Sequence, residues 1–132
     1  MLLLLSLTIV SCDNGDDLTE IFQSHTWNMA FFYENGIRTS PSKDSKYTLK
    51  FHDSTFEFTT NSGATITGYW QADNKKRTFR CSQVKVNNGS IEADEIASKA
   101  EKIFKDARYY EGDSNFLKIM IQENIFMQFH NK

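Results

Sequence analysis

Polar and apolar residues alternate with a period of two over most of the chain. In KYTLKFHD, Tyr47, Leu49 and Phe51 share one face, and Thr48, Lys50 and His52 share the other. Successive side chains of a strand point to opposite sides, so this alternation marks strands with one face on a core. TFEFTT repeats it with Phe56 and Phe58, and ATITGYWQAD with Ile66, Gly68 and Trp70. RTFRCSQVKV continues it after the turn Asp73-Asn74-Lys75-Lys76. FLKIMIQ and NIFMQFH form a closing pair, joined tightly near Glu123-Asn124. Upstream, TWNMAFFYENGIR reads as a strand whose Asn35-Gly36 supplies a hairpin turn. Connections this short make neighbouring strands antiparallel.

The period changes in SIEADEIASKAEKIFKDARYY. There Ile96, Ala100, Ile103, Phe104 and Ala107 recur at spacings of three and four, one face of a helix. Ser90 or Asp94 caps its start. Acids crowd its first turn, and Lys102, Lys105 and Arg108 lie toward its end, matching the helix dipole. Gly112 supplies the stop or the following turn. The expected fold class is α+β: a mostly antiparallel β roll or open barrel of about seven or eight strands, with one C-terminal-half helix packed on the sheet.

The chain opens on a different pattern, MLLLLSLTIVSCDNGDD. The apolar run Leu2 to Val10 is too short for a mature membrane helix, which needs about 20 residues, and matches the apolar core of an export signal. Ile9-Val10-Ser11-Cys12 resembles a bacterial lipobox, in which Cys12 receives the lipid after cleavage behind small Ser11. Two signals or chains make such anchoring stable, since one acyl chain binds only marginally. Asp13 to Asp17 then read as an acidic tether, similar to the export signal of surface lipoproteins in Bacteroidetes. The organisation expected is a signal peptide over 1–11, a tether over 12–18 and one domain over 19–132. A lipid on Cys12 leaves Cys81 without a partner; a Cys12–Cys81 disulfide is the competing use in an oxidising compartment. Cys81 alternates with Phe79 and is expected as a small core residue.

Composition narrows the function. The chain has 132 residues and a formal charge of −2, with acids and bases interspersed, so it holds one domain and no basic stripe for nucleic acid. His25, His52 and His130 are scattered, no cofactor motif or glycine-rich phosphate loop occurs, and no metal or catalytic set is expected. Asp16-Asp17 and Asp94-Glu95 are sequence neighbours, which do not face each other as catalytic carboxylates do. The aromatic residues carry more. Phe31, Phe32 and Tyr33 are consecutive, so at least one points away from the core, and Tyr109 and Tyr110 pose the same problem. Either both sheet faces are covered, or Phe31, Phe32, Tyr33, Tyr109 and Tyr110 contribute to an exposed patch that binds a partner. Asp53-Ser54-Thr55 resembles the O-glycosylation motif of secreted Bacteroidetes proteins, with Ser54 as acceptor, and reads equally as a turn.

The order of elements resembles the META domain of small bacterial envelope lipoproteins. The matching pieces are Thr26-Trp27-Asn28-Met29, ITGYWQAD, and a helix followed by Tyr110, Gly112, Asp113, Leu117, Ile119 and Phe129. Gly68-Tyr69-Trp70 stands where many members have glycine-cysteine-asparagine. The resemblance implies envelope association, with a stress-related role and no defined reaction. The expected function is a lipid-anchored, non-enzymatic binding module, an outer-membrane lipoprotein facing the periplasm or the surface. Its partners would be the membrane, through the anchor, and a protein. The alternative is a lipocalin-like carrier of a small apolar ligand, which needs an unfilled cavity of about 300 Å³ or more.

Overall fold

The computed structural model describes residues 18–131. Cys12, the expected signal peptide and the tether up to residue 17 lie outside the described residues. A short π-helical turn, Thr19–Gln23, leads into nine strands: β1 Thr26–Glu34, β2 Ile37–Thr39, β3 Thr48–Phe51, β4 Thr55–Thr59, β5 Thr65–Asp73, β6 Thr78–Asn87, β7 Tyr109–Gly112, β8 Phe116–Gln122 and β9 Ile125–His130. One helix, α1 Glu95–Asp106, stands between β6 and β7 in sequence. Every pairing is antiparallel, and β1 bonds to β9 as well as to β3, so the sheet closes into a barrel. The α+β class holds, and the strand count rises to nine. The extra strands are short: β2 is three residues and β7 four, too few to show an alternation.

Asn35-Gly36 makes the β1–β2 hairpin turn with φ of 50° and 92°, the left-handed values that Asn and Gly tolerate best. The β8–β9 turn sits beside it. Asn35 N donates to Asn124 O at 2.8 Å, and Asn124 Nδ2 donates to Asn35 Oδ1 at 2.7 Å.

Between β6 and β7 the wall is one residue pair wide, Thr78 opposite Tyr109. Beyond that point β6 runs on to Asn87 with α1 at its side; the helix also touches β8 and β9. Covering a strand edge with a helix removes a template for unwanted pairing. The cap is Asp94, whose Oδ1 accepts from Ala97 N at 3.0 Å. The same carboxylate accepts the Tyr47 hydroxyl at 2.9 and 3.0 Å, tying the helix start to the lead-in of β3. The buried face is Ala97, Ala100, Ile103 and Phe104; Ile96 is only half-buried. The helix ends at Asp106, well before Gly112, which closes β7 instead.

Aromatic rings fill the barrel interior. At one end Phe22, from the π-helical turn, packs against Phe51, Trp70, Phe79 and Tyr110 with centroids 4.8–5.6 Å apart. Trp27 Nε1 donates to Ile21 O at 3.0 Å and pins that turn in place. Nearer the helix, Phe104 stacks on Phe56 at 4.5 Å and meets Phe58 edge-on at 5.7 Å. Gly68 makes room for this: a Cβ there would lie 2.8 Å from the Phe56 ring and 2.9 Å from Ser82 O.

Candidate functional site

Strand register sorts the consecutive aromatics. Phe32 and Tyr110 point into the barrel, 2% and 0% exposed, beside Met127 and Ile119. Both are core residues, which removes them from the expected partner-binding set. A β-bulge between Met29 and Phe31 shifts the phase of β1, so Met29 and Phe32 face inward while Phe31 and Tyr33 face outward.

The residues on the outer side of the wall align into a row across five strands, although Met120 and Phe126 within it are covered by their neighbours and only 6% and 7% exposed. Tyr109 on β7 is paired with Met120 on β8, Met120 with Phe126 on β9, Phe126 with Tyr33 on β1, and Tyr33 with Arg38 on β2. Tyr33 stacks on Phe126 at 5.2 Å, and Phe31 meets Phe126 edge-on at 6.2 Å. Two cations lie over these rings. Arg38 sits 4.0 Å above Phe31, and Lys118 Nζ sits 4.5 Å above Phe126. Such contacts are worth about 0.5–1 kcal/mol at exposed sites, so a ligand of matching chemistry can displace them. Tyr109 is 44% exposed at the end of the row. The structure therefore joins Phe31, Tyr33 and Tyr109 on one outer face and adds Met120, Phe126, Arg38 and Lys118. Phe126-Met127 is, like Phe31-Phe32-Tyr33, a run of adjacent apolar residues that cannot all face inward. That was the available signal for Phe126; nothing local marks the two cations.

Beyond Tyr109 the face meets the place where β6 and β7 part. An open groove of ≈ 710 Å³ lies there, lined by Arg80, Cys81, Lys105, Asp106, Arg108 and Tyr109 among others. Arg80 also lines two neighbouring hollows of ≈ 540 and ≈ 560 Å³ on the outside of β5 and β6. Cys81 packs half-buried against the core, and burial pushes its thiol pKa well above the ordinary value, which keeps it a neutral thiol.

Ser54 is exposed in the β3–β4 turn, where its carbonyl accepts from Trp70 N at 3.0 Å. His25 is half-buried with its ring edge on Trp27 at 5.2 Å, and its buried Nε2 has no hydrogen-bond partner among the described residues. His52 and His130 are exposed. Among the described residues no three His, Cys, Asp or Glu side chains gather as a metal site would need.

A family model described as a domain of unknown function (DUF4847) matches residues 13–131. The structure is similar to the crystal structure of a DUF4847 family protein from Bacteroides vulgatus ATCC 8482. The TM-score is 0.68 at 25% identity, over 87% of this chain and 97% of that chain. No curated protein matches the chain. The family match overturns the META resemblance. The residues behind that resemblance have structural reasons of their own. Tyr110, Leu117, Ile119 and Phe129 fill the barrel. Gly112 packs tightly on Leu117, and Asp113 Oδ1 caps the next turn by accepting from Asn115 N and Phe116 N. A helix leading into a closing hairpin asks for such residues in unrelated barrels too.

Proposed function

The chain belongs to the DUF4847 family, a domain of unknown function, and from that premise we propose that it is a non-enzymatic binding module, held at the cell envelope by a lipid on Cys12, that engages a protein partner through its outer aromatic face. The row Tyr109–Met120–Phe126–Tyr33 is the observation that carries this reading. Tyr109 stands 44% exposed at its end, Lys118, which also pairs with Glu111 at 3.8 Å, lies over Phe126 within it, and Arg38 lies over the neighbouring Phe31. Tyrosine and arginine are the residues that most often anchor such contacts. The lipobox-like Ile9-Val10-Ser11-Cys12 supports the anchor.

The filled interior weighs against the carrier alternative. Phe22, Phe56, Phe58, Phe79, Phe104 and Phe129 are each 0–1% exposed where a carrier would hold its ligand. A photo-crosslinking amino acid at position 33 or 109, in intact cells, tests the face. The expected result is that both positions capture the same protein, while position 50, on the exposed side of β3, captures none. Equal capture from all three positions contradicts the reading.

A further inference from the structure

We propose that the groove at the β6–β7 parting is an anion-recognition site that takes an acidic, extended segment of the protein partner. This deepens the reading of the outer face and rests on it. The site follows from topology. β6 and β7 are in register at the single pair Thr78 and Tyr109, fastened by Phe79 N to Arg108 O and Tyr110 N to Arg77 O, and α1 takes the place of a strand beside the rest of β6. The wall therefore has a seam, and an open groove of ≈ 710 Å³ forms where the helix ends and β7 begins.

Three cations line that seam, each from a different part of the chain. Arg80 comes from β6, Lys105 from the last turn of α1, and Arg108 from the link between α1 and β7. Lys105 pairs with Glu101 at 3.3 Å, and Asp106, also in the groove, lies 3.9 Å from Lys102. Lys105 and Arg108 in addition suit the negative end of the helix dipole. That explains neither Arg80, which is not on the helix, nor the lack of a carboxylate for either arginine. Both residues are held by their backbones, Arg108 N donating to Met120 O and Arg108 O accepting from Phe79 N, but among the described residues neither the Arg80 nor the Arg108 side chain has an ion pair or hydrogen bond. Two guanidinium forks facing an open groove match carboxylates in bidentate geometry. Tyr109 belongs both to this groove and to the aromatic row, so one extended segment can place carboxylates on the arginines and its remainder on the rings.

The test uses the full-length chain and a fluorescent octapeptide of alternating Glu and Tyr, read by anisotropy. Saturable binding is expected, weakened by added salt. Arg80→Gln/Arg108→Gln is expected to weaken it about tenfold or more, because the charged acceptors lose their forks. Lys75→Gln/Lys76→Gln removes the same charge from the β5–β6 turn and is expected to change affinity less than about twofold. Arg80→Lys/Arg108→Lys keeps the charge and fold and is expected to fall between, since lysine lacks the planar fork. Absent saturation, or equal losses in both glutamine pairs, overturns the proposal. So does displacement of the peptide by equimolar inorganic phosphate, which marks a small-anion site, or binding of phosphatidylglycerol vesicles in place of the peptide. If the groove fails and positions 33 and 109 still crosslink one protein, the outer face stands without this partner chemistry.

Discussion

Gly68 and Tyr47 show how single residues set the barrel. At Gly68 the absent side chain is the point: a methyl group would meet the Phe56 ring at 2.8 Å and the Ser82 carbonyl at 2.9 Å. The ring is buried against Phe104 and has little room to yield, and the carbonyl is backbone. Gly68→Ala is expected to destabilise by about 1–3 kcal/mol in urea unfolding, as overpacking does; no loss would show that the Phe56 ring moves freely. Tyr47 makes a prediction in pH. Burial, then the Asp94 carboxylate that accepts its hydroxyl, push the phenol from 10.0 up to about 12. The folded state thus holds this proton more tightly than the unfolded chain. The stability tied to it is whole below pH 10 and is lost between pH 10 and 12, as the unfolded phenol ionises first. Tyr47→Phe should be less stable than the natural chain by about 1 kcal/mol at pH 8, and the gap should close or reverse above pH 10. A gap that stays constant to pH 12 contradicts the Tyr47–Asp94 contact. Residue chemistry of this kind was half legible. Asp94 stood out as one of two cap candidates, but its second role depends on a residue 47 positions away in the chain.

Among the elements, α1 matters most to the integrity of the wall, because it stands where the strand pairing is one pair wide. Phe104 is its anchor, fully buried between Phe56 and Phe58. Phe104→Ala is expected to cost about 3–5 kcal/mol by thermal or urea unfolding; a loss under about 1 kcal/mol would mean the helix does not dock there. The three-four spacing of Ile103 and Phe104 with the alanines exposed this helix in the sequence, as period two exposed β3, β4, β8 and β9. Two features were not legible. The bulge in β1 adds one residue to one side of a pair, and alternation alone does not locate the slip. It decides which of Phe31, Phe32 and Tyr33 reach the surface. The seam between β6 and β7 is invisible for a related reason. It depends on which strand pairs with which, and Arg80, Lys105 and Arg108 meet only once the barrel has closed.

For the whole molecule, closure and a filled interior are what the proposed binding at the outer face starts from. Of the nucleophile, carboxylate pair and metal cluster an enzyme would advertise, the sequence offered none, and its oily start and Cys12 spoke to place rather than reaction. Family membership names the kin without adding an activity. On the proposed anchoring, Cys12→Ala should move the chain from the membrane to the soluble fraction of broken cells; unchanged partitioning removes the anchor from the account. Solid packing separates a surface binder from a carrier, and methyl NMR of the full-length chain titrated with a small apolar probe such as naphthalene reads it directly. The inward methyls of Leu49, Ile66, Leu117 and Ile119 are expected to stay in place, with any shift confined to Met120 on the outer side of the wall. Saturable shifts of those inward methyls would mean that the barrel opens for a guest, and would contradict the surface-binder reading.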